Sequence, residues 1–273
     1  MSKSNAAQNI NGWIIIDKPT GMTSTAVVNK IKWACSARKA GHAGTLDPSA
    51  TGILAIALGE ATKTIPYVTE QVKSYTFEVK WGEATDSDDS DGKIIQTSQM
   101  RPSEQDIIAI LPRFRGEIKQ TPPFFSAVKI NGRRAYELAR SGEDFDIASR
   151  SLFVSSLKLE KYISENSAIL SLECGKGGYV RSIARDLGLE LGCYGHVKWL
   201  RRIASGSFNL SMAHSLDTIL KLNKTSAVNN FILPVELGLS TIKHGTCTST
   251  AAEKIKNGNS APILCNGART GDE

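Results

Sequence analysis

The twelve residues from Gly41 to Gly52, G-H-A-G-T-L-D-P-S-A-T-G, constrain this chain most. Gly41, Gly44 and Gly52 open backbone conformations that other residues avoid. Pro48 fixes its own φ and pushes the preceding residue, Asp47, towards the extended region. The apolar run at 53–58, I-L-A-I-A-L, follows at once and reads as a buried strand. One carboxylate is therefore held on a stiff loop at the edge of a core element, which is how a rigid scaffold presents a reactive group. A plain turn uses the same residue types. Residue chemistry alone leaves Asp47 open between a turn residue and a catalytic one.

With 273 residues the chain can bury one large core, or a main domain and a small one. Its apolar content of 41% and charged content of 22% are ordinary for a soluble globular protein. No run of about 18 apolar residues predicts a membrane span. The polar stretch 1–11 lacks the apolar core of a secretory signal, so a cytoplasmic location is expected. Five scattered cysteines form no C-x-x-C and four histidines form no H-x-x-x-H, which predicts reduced thiols and no metal site. The acid-rich stretch 86–92, D-S-D-D-S-D-G, has the wrong carboxylate spacing for a calcium loop, and Thr97 stands where a bidentate Glu is needed. A polar hairpin turn is expected there instead. The glycines at 175–178 open a helix but lack the P-loop pattern, which argues against nucleotide hydrolysis.

The net charge of +6 is carried in part by three basic groups: Lys30, Lys32, Arg38 and Lys39; Arg133 and Arg134; and Lys198, Arg201 and Arg202. Such groups suit a polyanion and equally a solvated face. Periodicity predicts a strand at 13–16, then a helix over 23–35 capped by Thr23 or Ser24 and burying Val27, Val28, Ile31 and Ala34. A short helix at 60–70 precedes a strand at 73–82 whose Tyr75, Phe77, Val79 and Trp81 face inward. Ser103 caps a helix to about 114 with Ile107, Ile108 and Leu111 on one face. Antiparallel strands are expected at 147–162 and 167–174. Val180, Ile183, Ala184, Leu187 and Leu191 form the buried stripe of the next helix, and a strand at 196–203 and a capped helix from Ser215 follow. Segment 120–140 interleaves prolines, two phenylalanines and basic residues. It suits a nucleic-acid surface or, alternatively, a hairpin packed on the core. After Pro234 the composition shifts, placing a boundary near 232–238 and a small β-rich tail beyond it.

The 41–52 string closely resembles the G-H-x-G-x-L-D-P-x-A-T-G signature of the TruB family of pseudouridine synthases, where it carries the single essential aspartate. The resemblance extends over about residues 10–237. It includes Asp17-Lys18-Pro19-Thr20-Gly21, Lys73-Ser74-Tyr75, Pro122-Pro123 with 126–136, Gly178-Tyr179-Val180-Arg181 and Leu200-Arg201-Arg202. It implies an α+β (mixed α/β) fold, with a mostly antiparallel mixed sheet flanked by helices. The catalytic domain would span 10–235, with an RNA-gripping insertion at about 120–150. Residues 236–273 would be a short, reduced or truncated RNA-binding tail of the PUA type. The implied activity is an isomerase that flips the T-loop uridine at tRNA position 55 and converts it to pseudouridine. It implies no cofactor and no metal. The partner would be the tRNA T-arm, and a monomer is expected.

By the same resemblance Asp47, Tyr75 and Arg181 are catalytic: Arg181 pairs with and aims Asp47, and Tyr75 stacks on the flipped base. His42 fills the vacated space or stacks on a neighbouring base, Tyr179 walls the pocket, and Leu200 packs beneath it. Lys18 and Pro19 brace the Asp47 loop, and Lys18 is also counted with the substrate contacts, as are Lys129, Arg133, Arg134, Arg201 and Arg202. The reaction breaks the N1–C1′ bond, turns the base and joins C5 to C1′. A single carboxylate can serve it as a nucleophile, at C1′ or on the base, or as a base that removes a sugar proton. The sequence leaves these routes open. A guide-RNA-dependent synthase of the dyskerin type and a non-catalytic tRNA-binding or tRNA-folding protein are the alternatives. Asp47, Tyr75 and Arg181 together favour an enzyme, and a stand-alone one is expected.

Overall fold

The apolar runs at 13–16 and 53–58 become neighbouring central strands. They belong to a computed structural model that describes residues 10–223 and 225–265. The expectations for the first nine residues and for 266–273 lie outside the described residues. The chain divides into two units, Met1–Gly238 and Leu239–Glu273.

In the first unit, β1 (Gly12–Lys18) leads into α1 (Ser24–Ala34), which is capped by the Thr23 hydroxyl accepting from the Ala26 N–H. β2 (Ala40–His42) and β3 (Thr51–Leu58) follow. Ile14, Ile16, Leu54 and Ile56 pack with α1, whereas Trp13, Ile15, Ile53 and Ala55 pack on the other face with Val68 and Phe208. Covering on both faces is why these strands read as unbroken apolar runs rather than as alternation.

A 3₁₀ turn over Gly59–Thr64 and α2 (Ile65–Glu70) connect to β4 (Lys73–Trp81), whose four alternating aromatic and aliphatic side chains are all buried. β5 (Glu83–Thr85) and β6 (Ile94–Thr97) form the expected hairpin around 86–92. α3 (Glu104–Ile110) starts at a Ser103–Asp106 capping box and buries Ile107 and Leu111. Ile108, expected on that face, is exposed, because one residue along a helix turns the side chain by about 100°.

β7 (Gly116–Gln120) is followed by a hairpin of β8 (Lys129–Ile130) and β9 (Arg133–Arg134), and then by α4 (Ala135–Ser141). β10 (Arg150–Ser164) and β11 (Ser167–Cys174) pair antiparallel. α5 (Val180–Glu190), β12 (Gly195–Ser205), β13 (Phe208–Asn209), β14 (His214–Ser215) and α6 (Leu216–Lys221) complete the unit's regular elements.

The main sheet runs β14-β1-β3-β12-β4-β11-β10-β7, with β2 on β3 and β13 on β12. Its pairings are antiparallel except β1–β14 and β3–β12. The parallel β3–β12 contact is short, Arg201 opposite Thr51 and Arg202 opposite Gly52, and it joins the two halves of the sheet. The Asp47 loop enters β3 at this junction. In the second unit the tail expected to be β-rich holds, among the described residues, α7 (Ser249–Lys256) and one pair of two-residue strands, β15 (Gly245–Thr246) and β16 (Leu264–Cys265). Helix therefore outweighs strand there. Among the described residues no helix is long and apolar enough to cross a membrane.

Gly52 makes the junction possible. Its φ is +98°, and a Cβ there would lie 2.2 Å from the Arg202 carbonyl oxygen. Gly52→Ala is therefore expected to destabilise the fold by more than about 1 kcal/mol, read as a lowered urea midpoint. An unchanged midpoint would mean that β12 yields freely at this contact.

Candidate active site

Three side chains from different elements tie down the loop that carries Asp47. At the start of α1, the Ser24 hydroxyl donates to the Leu46 carbonyl (3.0 Å) and accepts from the Leu46 N–H (2.8 Å). At the end of β1, the Lys18 ammonium donates to the carbonyls of Pro19 (2.9 Å), Met22 (2.7 Å) and Pro48 (3.0 Å). On β12, Arg202 donates through Nε to Ile53 O (2.7 Å), through Nη2 to Gly44 O (3.0 Å) and through Nη1 to Thr45 O (3.3 Å). Leu46, Pro48 and Gly44 bracket Asp47, so the carboxylate has little freedom of placement.

Arg181, at the start of α5, meets Asp47 side-on: Nε lies 2.9 Å from Oδ2, and Nη2 donates to Oδ1 at 3.0 Å. Two planar groups matched in this way fix direction as well as distance. The same guanidinium donates to Ser87 O (2.9 Å) and Phe125 O (3.0 Å), so four of its five N–H groups face an acceptor. The Arg181 side chain is 5% exposed and that of Asp47 35%. The cation is buried beneath the anion, and the carboxylate faces a cleft lined by Ala50, Asp89, Trp199 and Leu200. Asp89 Oδ2 is 3.7 Å from Arg181 Nε, and burial pushes the Asp89 carboxyl above its ordinary pKa.

Tyr75 is buried on β4, opposite Arg202 in the β4–β12 pairing. Burial raises the Tyr75 pKa and lowers that of Arg202. Tyr179 caps α5 half-buried, its backbone N–H donating to the Gln120 side chain (2.9 Å) and its carbonyl accepting from the same amide (3.1 Å). Burial raises its phenol as well. Leu200 lies on β12 in the cleft wall. His42 sits on β2 opposite Ile56, half-buried, with Nδ1 unpartnered. Burial, followed by the Arg202 charge, lowers its pKa and favours the neutral ring. The structure thus brings Asp47, Arg181 and Leu200 to one cleft, whereas Tyr75 is buried on β4 opposite Arg202.

Two basic residues, Arg202 and Lys18, differ from expectation. Arg202, expected at phosphates, is 2% exposed and bound to backbone carbonyls, because the Gly44–Asp47 turn presents oxygens that only an internal donor can reach. Arg201 is held by Asp17 through two bonds of 2.9 and 2.7 Å. Lys18 is fully buried, with three carbonyls for its three N–H donors, so it braces the loop and has none left for a substrate. Burial pulls its pKa down to about 8 against the opposing pull of the Asp47 carboxylate. Lys129, Arg133 and Arg134 are exposed on the β8–β9 hairpin; Arg133 pairs with Glu143 at 2.9 Å, and Arg134 donates to Ala127 O at 3.1 Å.

Sequence reasoning missed the 86–92 turn, which it read as polar surface. Ser87 and Asp89 reach the Arg181 guanidinium, and Asp88 pairs with Arg185 at 2.8 Å. A signal was present: two arginines four residues apart share one helix face and require acceptors opposite.

Family models match the chain as "TruB family pseudouridylate synthase (N terminal domain)" over residues 32–180 and "tRNA pseudouridylate synthase B C-terminal domain" over residues 181–240. A tRNA pseudouridine synthase B of Ruegeria pomeroyi is 50% identical over 273 residues, spanning all of this chain and 90% of that protein. The protein of the same name from Dinoroseobacter shibae is 51% identical over 272 residues, with the same coverage. Among solved structures, a chain of a Cbf5-Nop10-Gar1 complex superposes with a TM-score of 0.72 at 27% identity, covering 96% of this chain and 73% of that one. A chain of an H/ACA RNP bound to a substrate RNA containing 2′-deoxyuridine gives 0.72 at 24% identity, over 96% of this chain and 72% of that one, and shares the fold.

Replacing Lys18 with Met would strand three carbonyls inside the protein. The variant is expected to lose about 1–3 kcal/mol of stability, measured by urea unfolding. Stability equal to that of the parent would mean that water satisfies those carbonyls and that Lys18 is no brace.

Proposed function

The chain belongs to the TruB family of pseudouridine synthases, and from that premise we propose how its cleft works and on what. The enzyme isomerises uridine in tRNA to pseudouridine, an intramolecular transfer in which the N1–C1′ bond breaks, the base rejoins C1′ through C5, and the C5 hydrogen leaves as a proton while N1 takes one up. The relatives named tRNA pseudouridine synthase B favour a stand-alone tRNA enzyme over a guide-dependent one.

The finer reading rests on the bidentate Asp47–Arg181 pair. The target uridine, at position 55 in the T-loop, flips out of its stack to reach the cleft. Asp47 is the essential carboxylate, acting as nucleophile or as base, and Arg181 aims it from beneath. A carboxylate clamped on one side and open on the other suits attack from a single direction, which lowers the barrier through orientation. Tyr75 supports the flipped base, and its burial-raised pKa keeps the phenol neutral, able to hold or pass a proton. Leu200 and Tyr179 form walls, and His42 occupies the space the base leaves. Residues 10–235 carry catalysis, and the insertion at about 120–150 grips the T-arm through Lys129, Arg133 and Arg134. The short tail from 236 adds RNA contacts. The enzyme works as a monomer in the cytoplasm.

An unmodified tRNA transcript tritiated at uridine C5 tests this reading. The parent enzyme is expected to release one equivalent of tritium per tRNA. Asp47→Asn should release none while binding tRNA within a few-fold of the parent. A large loss of affinity in that variant would show that Asp47 serves binding rather than chemistry. The insertion is tested by salt. Each lost phosphate contact flattens the slope of log affinity against log salt by about 0.7–0.9, so Lys129→Ala with Arg133→Ala should flatten it by about twice that. An unaltered slope would mean that these side chains face only water.

A further inference from the structure

Arg181 can hold Asp47 in one orientation only if its other acceptors stay where they are. These are Ser87 O and Phe125 O, on two loops far apart in sequence. Arg185, one turn further along α5, touches both loops. Its Nη1 donates to Asp88 Oδ2 at 2.8 Å, and Asp88 is bonded in sequence to Ser87. Its Nη2 donates to Thr121 O at 2.8 Å, four residues before Phe125, and the Ser182 hydroxyl donates to the same oxygen at 2.8 Å. Its Nε is held by Asp186 Oδ1 at 2.8 Å.

The 86–92 turn needs such an anchor. β6, into which it runs, is exposed along its whole length, so the hairpin buries little of itself. Asp88 has φ +60°, a left-handed conformation that a residue other than glycine keeps only when its contacts over-determine it. Beside the Arg181 bond to Ser87 O, the turn is tied by backbone bonds with Val197 of β12, from Val197 N–H to Asp88 O (3.1 Å) and from Ser90 N–H to Val197 O (3.0 Å), and by the Asp88–Arg185 ion pair. The two side chains of that pair are 12% and 22% exposed, so solvent and salt screen it weakly. Neither residue lines the cleft.

We propose that Asp88 and Arg185 form a positioning pair for pseudouridine formation: together they set the two carbonyls that orient Arg181, and through Arg181 they set the angle of Asp47. This deepens the reaction argued above and rests on it. The pair acts on the chemical step and not on tRNA capture, because neither side chain lines the cleft and its one contact with the insertion is the Thr121 carbonyl, ahead of the exposed basic hairpin.

The test measures single-turnover tritium release at saturating enzyme, with tRNA affinity by filter binding, for the full chain and for Asp88→Asn, Arg185→Ala, Arg185→Lys and the double variant Asp88→Asn/Arg185→Ala. Each of Asp88→Asn and Arg185→Ala is expected to slow release by about ten-fold to a hundred-fold, the scale of a misplaced reactive group, with affinity within about two-fold of the parent. The double variant should be no slower than the slower single one, since either change already disables the pair. Arg185→Lys, which restores the charge and one bond, should recover part of the rate. The proposal is overturned by unchanged rates in both single variants, by a loss confined to affinity, or by losses that multiply in the double variant. It is also overturned if Asp88→Asn, a nearly isosteric change, and Arg185→Ala both unfold by circular dichroism, for then the pair serves the fold alone. A parent enzyme that binds tRNA yet releases no tritium would instead overturn the reaction, and the pair's role with it.

Discussion

Arg181 is 5% exposed, and a guanidinium withdrawn that far from water is tolerated only when its N–H groups meet acceptors. The demand reaches well beyond Asp47. It recruits Ser87 from the turn between β5 and β6 and Phe125 from the insertion after β7, two segments with no regular pairing to each other. Both must arrive in register for the cation to be buried at all. The carboxylate then sits on top of a cation that is already directed, so its orientation follows from the packing beneath it. A partner free in solvent would bind the same carboxylate without aiming it, because an exposed ion pair loses most of its energy to water and side-chain entropy.

The second constraint is the parallel contact of β3 and β12, where the halves of the sheet meet. Here Gly52 lets the Arg202 backbone come close, and the Arg202 side chain turns back along the Asp47 loop to bind Gly44, Thr45 and Ile53. One residue thereby closes the sheet with its main chain and stiffens the loop with its side chain. Ser24 and Lys18 complete the frame from α1, which covers one face of β3, and from β1, the strand paired with β3 on the edge away from β12. The loop needs no regular hydrogen-bond ladder of its own, since its carbonyls are bonded by side chains from the core.

Much of this was legible in the sequence where local chemistry decides. The buried runs at 13–16 and 53–58, the capped helix at α1 and the alternation in β4 follow from period and caps, and the glycines around Asp47 mark an unusual backbone. What was not legible was set by long-range pairing. The stretch 86–92 has the composition of a solvated turn, and only the arrival of α5 makes Ser87, Asp88 and Asp89 internal partners. Arg202 looks like one more surface cation next to Arg201 and Lys198. Its burial depends on the pairing of β12 with β3, which no local pattern encodes. Ile108 fell outside its expected face for a smaller reason: α3 is short, and its narrow buried stripe holds Ile107, Leu111 and part of Ile110 but not Ile108.

The same pairing changes what the net charge of +6 means. Arg181, Arg185, Arg201 and Arg202 are all engaged by carboxylates or carbonyls within the fold. These four positions use the fixed, planar fork of arginine, which matches several acceptors at once and keeps its charge in a buried setting. The exposed basic side chains include Lys30, Lys32 and Lys39 with Arg38 around α1, Lys129 with Arg133 and Arg134 on the β8–β9 hairpin, and Lys198 beside the cleft. Lysine there is a mobile point charge on a flexible stem, suited to a phosphate backbone whose exact position varies. Arginine thus builds the site and lysine dominates the exposed remainder.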